Sequence, residues 1–219
     1  MRKILLNLLR NYFPLFFLKL KYFNLKRKPS DINEHLETLS SYTEGCTKVF
    51  ETGVRGVVSS WALLHGLNTN KVDGKKFVMN DIDNVNVDSI CQVGNSLNIE
   101  TVFIQGNNLD LDLNEKFDLV FIDTLHVYGQ LKRELEKFSK IAETYIILHD
   151  TTVDAEYGEI IRQNLDFEKI KELTNFSDEE LTKGLWPAVE EFIAKNNDWE
   201  IQKKFENNNG LTILKKTKS

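Results

Sequence analysis

Apolar residues in this chain fall into short dense runs separated by polar turns, and the runs switch between helical and strand periods. Residues 1–27 alternate apolar clusters (Ile4-Leu5-Leu6, Leu8-Leu9, Tyr12-Phe13, Leu15-Phe16-Phe17-Leu18) with basic residues, and Pro14 interrupts them. No unbroken apolar run there reaches the roughly 18 residues that a membrane-spanning helix needs. The stretch also ends in Lys19, Lys21 and a basic cluster, not in the small residues of a signal-cleavage site. From Ser30 the pattern is that of a compact domain. Ser30 or Asp31 is placed to cap a helix through His35, Leu36 and Leu39, with Glu34 three residues after Asp31. Lys48-Val49-Phe50-Glu51 reads as a strand, Gly53 and Gly56 as a turn, and Val57 to Leu67 as a helix that buries Trp61, Leu63 and Leu64. After Asp73-Gly74, a strand from Lys76 to Asn80 ends at Asp81, completing a parallel strand-helix-strand crossover.

The same beat continues along the chain. Residues 85–97 predict a short helix, Thr101 to Ile104 a third strand, Phe117 to Ile122 a fourth, and Tyr145 to Leu148 a fifth. Near-continuous apolar runs suit strands covered on both faces. Tyr128 to Ala142 reads as an amphipathic helix with Leu131, Leu135 and Phe138 on its inner face. Beyond Asp150 the chain is more polar until Gly184-Leu185-Trp186-Pro187, where proline in a first turn introduces a helix carrying Val189, Phe192 and Ile193. Glu200 to Phe205 and Leu211 to Leu214 form a hairpin around Asn207-Asn208-Asn209-Gly210, residues that tolerate positive φ. The expected fold is therefore α/β and Rossmann-like, a mostly parallel seven-stranded sheet with helices on both faces. Its antiparallel carboxy-terminal hairpin is what separates the class I methyltransferase sheet from an NAD-binding one.

Charge divides the chain in two. Residues 1–28 hold eight Lys and Arg and no acid, a charge of +8 that leaves −13 on the remainder for a net of −5. A body this acidic repels phosphate backbones, so a nucleic-acid partner is not expected. The domain reading is a basic, apolar arm over 1–29 followed by a single cofactor-binding domain over 30–219. For the arm two readings stand: a helical arm packed on the domain or on another subunit of a homo-oligomer, or an interfacial helix drawn to anionic lipid through residues 1–28. Cys46 and Cys91 form no CxxC or Cys/His cluster, which argues against a disulfide scaffold or structural zinc and for a reducing, cytoplasmic setting, peripheral to a membrane if the arm binds lipid.

In an open α/β sheet the ligand lies outside the carboxyl ends of the strands, so the residues ending each strand carry the functional argument. Glu51 ends the first. A carboxylate beside the glycine turn repels a dinucleotide pyrophosphate but suits the ammonium group of S-adenosyl-L-methionine. The turn Gly53-Val54-Arg55-Gly56-Val57-Val58-Ser59 also lacks the third glycine of GxGxxG. Asp81, with Asp83 as the weaker alternative, stands where an acid accepts ribose hydroxyls. Gln105 or Asn107, after the third strand, offers an amide acceptor for the adenine amino group.

These residues resemble a known family. Asp31 to Leu36, Phe50 to Gly56 with Ser59-Ser60-Trp61-Ala62, Phe121-Ile122-Asp123 with His126 and Tyr128, Leu148 to Thr151, Gly184 to Phe192, and Asn208 to Thr212 together look like the class I methyltransferases grouped with macrocin O-methyltransferase and the so-called cephalosporin hydroxylases. The likeness spans about residues 30–215. It implies Gly53, Gly56, Ser59, Ser60 and Asp123 as further cofactor contacts, and O-methylation of a small-molecule acceptor such as a sugar or glycan precursor.

Some relatives hold magnesium after the fourth and fifth strands, and the matching positions are Asp123 and Asp150. Here His149 precedes Asp150 and Thr151 follows it, which departs from the fuller acidic pattern. Two routes to an activated hydroxyl therefore stay open. Either Mg2+ on Asp123 and Asp150 lowers its pKa, or His126 or His149 acts as general base beside Asp123. His65 reads as structural, and Tyr128 and Trp186 as core aromatics or walls of an acceptor pocket. The competing functions are a non-catalytic adaptor, membrane-associated or oligomeric, that retains the fold, and an NAD-linked oxidoreductase, which Glu51 and the missing glycine disfavour.

Overall fold

The computed structural model describes the backbone of residues 2–217 and the side chains of 6–217; the early part of the basic arm's side chains, including Arg2, Lys3, Ile4 and Leu5, lies outside the described residues. The chain divides into two compact units, residues 1–121 and 122–219.

The first unit opens with α1 (Arg2–Tyr12) and α2 (Pro14–Arg27), broken where Pro14 lacks the N–H that would continue the ladder. A 3₁₀ turn (Asn33–His35) leads into α3 (Leu36–Thr43). The α-helix starts downstream of the expected caps: Ser30 Oγ accepts from the Ile32 amide at 3.4 Å ahead of the 3₁₀ turn, and Asp31 pairs with Arg55 at 3.1 Å. Then come β1 (Lys48–Thr52), α4 (Val58–Leu67), β2 (Lys75–Asp81), α5 (Asp88–Ser96), β3 (Ile99–Gln105) and β4 (Phe117–Ile122), whose last residue begins the second unit. β1, β2 and β3 pair in parallel, Val49 beside Phe77 and Val78 beside Val102.

The arm packs on this unit. Phe17, Leu18 and Tyr22 of α2 are buried, Phe17 meets Trp61 edge-on with centroids 5.9 Å apart, and Tyr22 stacks on His65 at 4.1 Å. His65 also contacts Ser40 Oγ through Nδ1 at 2.9 Å, so it is structural, as the sequence suggests. Burial is the main cause that lowers its pKa. A Cβ on Gly66 would collide with the Ser40 carbonyl and the Thr43 hydroxyl, so glycine is what lets α3 and α4 approach.

The second unit holds α6 (Tyr128–Phe138), β5 (Ala142–His149), α7 (Glu159–Arg162), α8 (Phe167–Thr174), α9 (Asp178–Thr182), α10 (Trp186–Lys195), β6 (Trp199–Phe205) and β7 (Leu211–Lys216). α6 stops four residues before the expected end. Ala142 extends the helical stripe one turn past Phe138, yet the amides of Lys140 and Ile141 already bond three residues back, and Ala142 opens β5. The polar stretch after Asp150 is not a plain loop: it folds into the three short helices, the last held by a capping box between Ser177 and Glu180.

β5 and β6 both pair antiparallel with β7, confirming the hairpin. Its turn places Asn208, Asn209 and Gly210 at positive φ, and the Asn209 carbonyl accepts from the amides of Thr152 and Val153. The hairpin therefore clamps the loop that leaves β5. Strand order is β3-β2-β1-β4-β5-β7-β6, the seven-stranded mixed sheet read from the pattern. Among the described residues, no helix is long and apolar enough to cross a membrane.

Candidate functional site

Among the described residues, two groups of polar side chains gather at carboxyl ends of strands, one in each unit. In the first unit Glu51 is fully buried at the end of β1, and Ser59 of α4 donates to its Oε1 at 2.5 Å. Ser60 Oγ is buried beside it in sequence with no hydrogen-bond partner among the described residues, which is unusual for a buried hydroxyl and leaves it able to meet a ligand. Between β1 and α4 the backbone is bent hard: Gly53 has φ +87°, and Arg55 and Val57 have φ +28° and +56°. Gly53 is suited to that conformation, whereas Val57, being β-branched, is strained in it. At Gly56 a Cβ meets only Val58 at an ordinary 3.6 Å, so sterics do not demand glycine there.

Asp81 fixes the turn. Its Oδ2 accepts from the amides of Val54 and Arg55 at 2.9 and 2.8 Å, and its Oδ1 from the amide of Asp83 at 2.9 Å. The carboxylate expected to meet a ribose thus already anchors the loop and its own following turn, with acceptor capacity left on Oδ1. Asp83 is exposed. Gln105 is also exposed, its amide 3.4 Å from the Ile82 carbonyl, and Asn107 accepts from the amide of Leu109 in a local turn.

Three residues that the sequence does not single out as site residues join the strand ends. Thr52 donates to Asn80 Oδ1 at 2.8 Å, Asn108 donates to Thr52 Oγ1 at 2.9 Å, and the Asn80 amide donates to the carbonyls of Ile104 and Gly106, both at 2.9 Å. The available signal was a polar residue closing an otherwise apolar strand, at Thr52 and at Asn80. Such fully bonded amides hold the carboxyl ends of β1, β2 and β3 at fixed spacing.

In the second unit Asp123, His126, His149 and Asp150 converge. His126 Nε2 lies 3.2 Å from Asp123 Oδ1 and 3.1 Å from Asp150 Oδ2; His149 Nδ1 lies 3.3 Å from each of the same two oxygens. On the far side of His126, Nδ1 is 3.2 Å from Asp154 Oδ2 and 3.8 Å from Glu159 Oε2. Arg162 holds Asp154 through two bonds of 2.5 and 2.7 Å. Asp154, Glu159 and Arg162 were not anticipated, since they lie in the stretch without clear periodicity. Asp150 itself has φ +57°, a strained setting for a residue that ends a strand.

Electrostatics follow from this crowding. Burial pushes the His149 pKa down, but its contacts with Asp123 and Asp150 outweigh that and raise it to about 10. Burial likewise opposes charge on His126, and Asp123, Asp154 and Asp150 together raise it well above its ordinary value. Burial acts to raise the Asp123 pKa, yet the two imidazoles hold it well below the carboxylate range. Without a cation, the surrounding carboxylates favour the charged form of both imidazoles.

A divalent cation would take the place of those protons. Asp123, His126 and Asp150 offer three ligand atoms within 4.8 Å of one another, and Asp150 Oδ1 is buried with no hydrogen-bond partner among the described residues. That donor set fits a metal, and the imidazole nitrogen widens the choice from magnesium toward manganese or zinc. Of the two aromatic candidates, Tyr128 of α6 donates to Glu191 of α10 at 2.7 Å, and Trp186 donates within α10 to Glu190 at 2.9 Å.

No protein-family model matches the chain, and no curated protein matches it. Solved structures do. An O-methyltransferase from Bacillus cereus in complex with SAH aligns over 93% of this chain and 90% of its own, at TM-score 0.58 and 18% identity. The O-methyltransferase TomG from Streptomyces achromogenes, involved in tomaymycin synthesis and in complex with SAM, covers 94% and 90% at TM-score 0.55 and 13% identity. Cofactor-bound Rv0187 from MTB covers 94% and 90% at 0.57 and 12%. The chain has the class I methyltransferase fold. In that fold the carboxyl ends of the strands are where ligands bind, and that is where Glu51, Asp81, Asp123 and Asp150 stand.

Proposed function

We propose that this protein is an S-adenosylmethionine-dependent O-methyltransferase acting on a small-molecule acceptor, a sugar or glycan precursor being the class to test first. The observation that carries the reading is the buried Glu51, locked to Ser59 beside the left-handed Gly53 turn. A fully buried carboxylate at a strand end is costly unless something cationic meets it, and the methionine ammonium is such a group. Gly53 leaves room for close approach of the backbone, Asp81 keeps the turn in shape and offers the remaining capacity of Oδ1 to a ribose hydroxyl, and Ser60 supplies a hydroxyl.

When bound, S-adenosylmethionine supplies an electrophilic methyl group on a sulfonium. The acceptor hydroxyl has to lose its proton as the methyl transfers, and the second unit is assigned that task. Asp123, His126 and Asp150 would hold a divalent cation, whose chemistry is to lower the hydroxyl pKa. His126 would ligate such a cation in its unprotonated form, while His149, 3.3 Å from both Asp123 and Asp150, would orient the two carboxylates.

The test is calorimetric titration with S-adenosylmethionine and S-adenosylhomocysteine, followed by a mass-spectrometric screen of sugars and nucleotide-sugars for one added methyl group. Binding in the wild type and its loss in Glu51→Ala are expected; a wild-type chain that binds neither ligand at millimolar concentration rejects the reading.

A further inference from the structure

We propose that the outer face of α1 and α2 docks this protein on the surface of an anionic lipid bilayer. This inference is independent of the methyltransferase reading. The two helices are already anchored by one face, since Phe17, Leu18 and Tyr22 are buried against Trp61 and His65, Arg10 donates to Ser89 at 2.6 Å, and Gln92 donates to Asn11. Packing therefore accounts for the inner apolar residues and, among the outer ones, only for part of Phe23, whose ring meets His65 edge-on at 6.2 Å. Tyr12 is 72% exposed, Phe13 62%, Phe16 57% and Phe23 48%, with Leu8 and Leu15 also open to solvent. Phe16, Lys19, Phe23 and Arg27 follow one another at helical spacing and are all exposed, so aromatic and cationic side chains share a stripe on α2. Exposed large apolar residues clustered this densely mark an interaction surface.

Charge selects the occupant. Residues 1–28 carry eight basic side chains and no acid; among the described ones Lys26 is matched by Glu37 at 2.6 Å, Arg10 is turned to Ser89 and Lys21 lies over Phe17 and Trp61, which leaves Lys19, Arg27 and Lys28 exposed. A second copy docked by two-fold symmetry would set this cationic face against itself, and interface cores are depleted of charge. A nucleic acid would answer the cations and leave the phenylalanines in water. An anionic bilayer answers both, because aromatic and leucine side chains enter the acyl boundary while Lys and Arg meet the headgroups. The helices are too short and too interrupted to span, so the contact is peripheral.

The experiment is flotation of the full chain with phosphatidylcholine vesicles, with and without phosphatidylglycerol, alongside light scattering of the protein alone. The variants are Phe16→Ser with Phe23→Ser, and Lys19→Gln with Arg27→Gln. All four positions are exposed, and thermal melts and S-adenosylhomocysteine titrations of the variants check that the fold and the donor site are unchanged. The expected result is flotation with phosphatidylglycerol vesicles only, weakened by salt, and reduced at least about tenfold by the double phenylalanine variant. Three results overturn the proposal: no flotation with either vesicle, retention unaffected by both variant pairs, or a dimer in light scattering that the phenylalanine variant dissociates. Because vesicle binding needs no methyl donor, a failed donor titration with intact flotation rejects only the enzymatic reading.

Discussion

At Asp81 a single carboxylate accepts three backbone amides, two from the turn after β1 and one from its own loop. Charge-assisted bonds of this kind fix a segment more firmly than neutral ones, so Asp81 couples the shape of the glycine turn to the end of β2. Replacing it with Asn sets an NH2 donor against at least one of those amides. Asp81→Asn is expected to lower stability by about 1–3 kcal/mol and to weaken S-adenosylhomocysteine binding further, read by denaturant melts and calorimetry; a variant with wild-type stability would mean that the turn holds itself. From the sequence Asp81 was legible as an acid at a strand end. That its oxygens face backbone amides depends on the positive φ of Gly53 and Arg55, which no residue pattern displays.

Among elements, the three short helices after β5 were the least legible, because none is long enough to show a 3.6-residue stripe. Their order comes from local chemistry. Ser177 and Glu180 cap α9 reciprocally, and Arg133 of α6 reaches Glu180 at 2.7 Å and lies 4.3 Å over the Phe176 ring. The Ser177 backbone amide, then Arg133, lowers the Glu180 pKa below its ordinary 4.5. A depressed carboxylate pKa contributes stability that is present above the unfolded-state value and lost as pH falls through the folded one. Glu180→Gln should therefore melt below wild type near neutral pH, with the gap closing only under the ordinary carboxylate range. Melting curves by circular dichroism from pH 3 to 7 measure this, and a gap that does not change with pH would assign the effect to shape alone.

For the whole molecule, the question is what neutralises the carboxylates of the second unit. Imidazolium ions and a divalent cation are alternatives at His126, since Nε2 cannot hold both. If a cation binds the folded state, it raises the melting temperature by mass action. Magnesium or manganese is expected to do so for wild type and not for Asp123→Asn with Asp150→Asn, and a chelator should abolish turnover. Melting that ignores both metals, with turnover insensitive to chelator, would return proton removal to a side-chain base, with His126 and His149 as the candidates.

By itself the sequence determined the strand order's raw material: apolar runs long enough for five strands, the asparagine-glycine turn of the hairpin, and the acids at strand ends. These are local properties, written in spacing and in residue type. Tertiary structure alone decided which face of the arm is buried, that the Asn209 carbonyl of the hairpin turn pins the loop after Asp150, and that Asp154 and Glu159 stand behind His126. Those contacts join residues far apart in the chain, so their energies depend on packing and low local dielectric, which appear only once the chain has closed on itself.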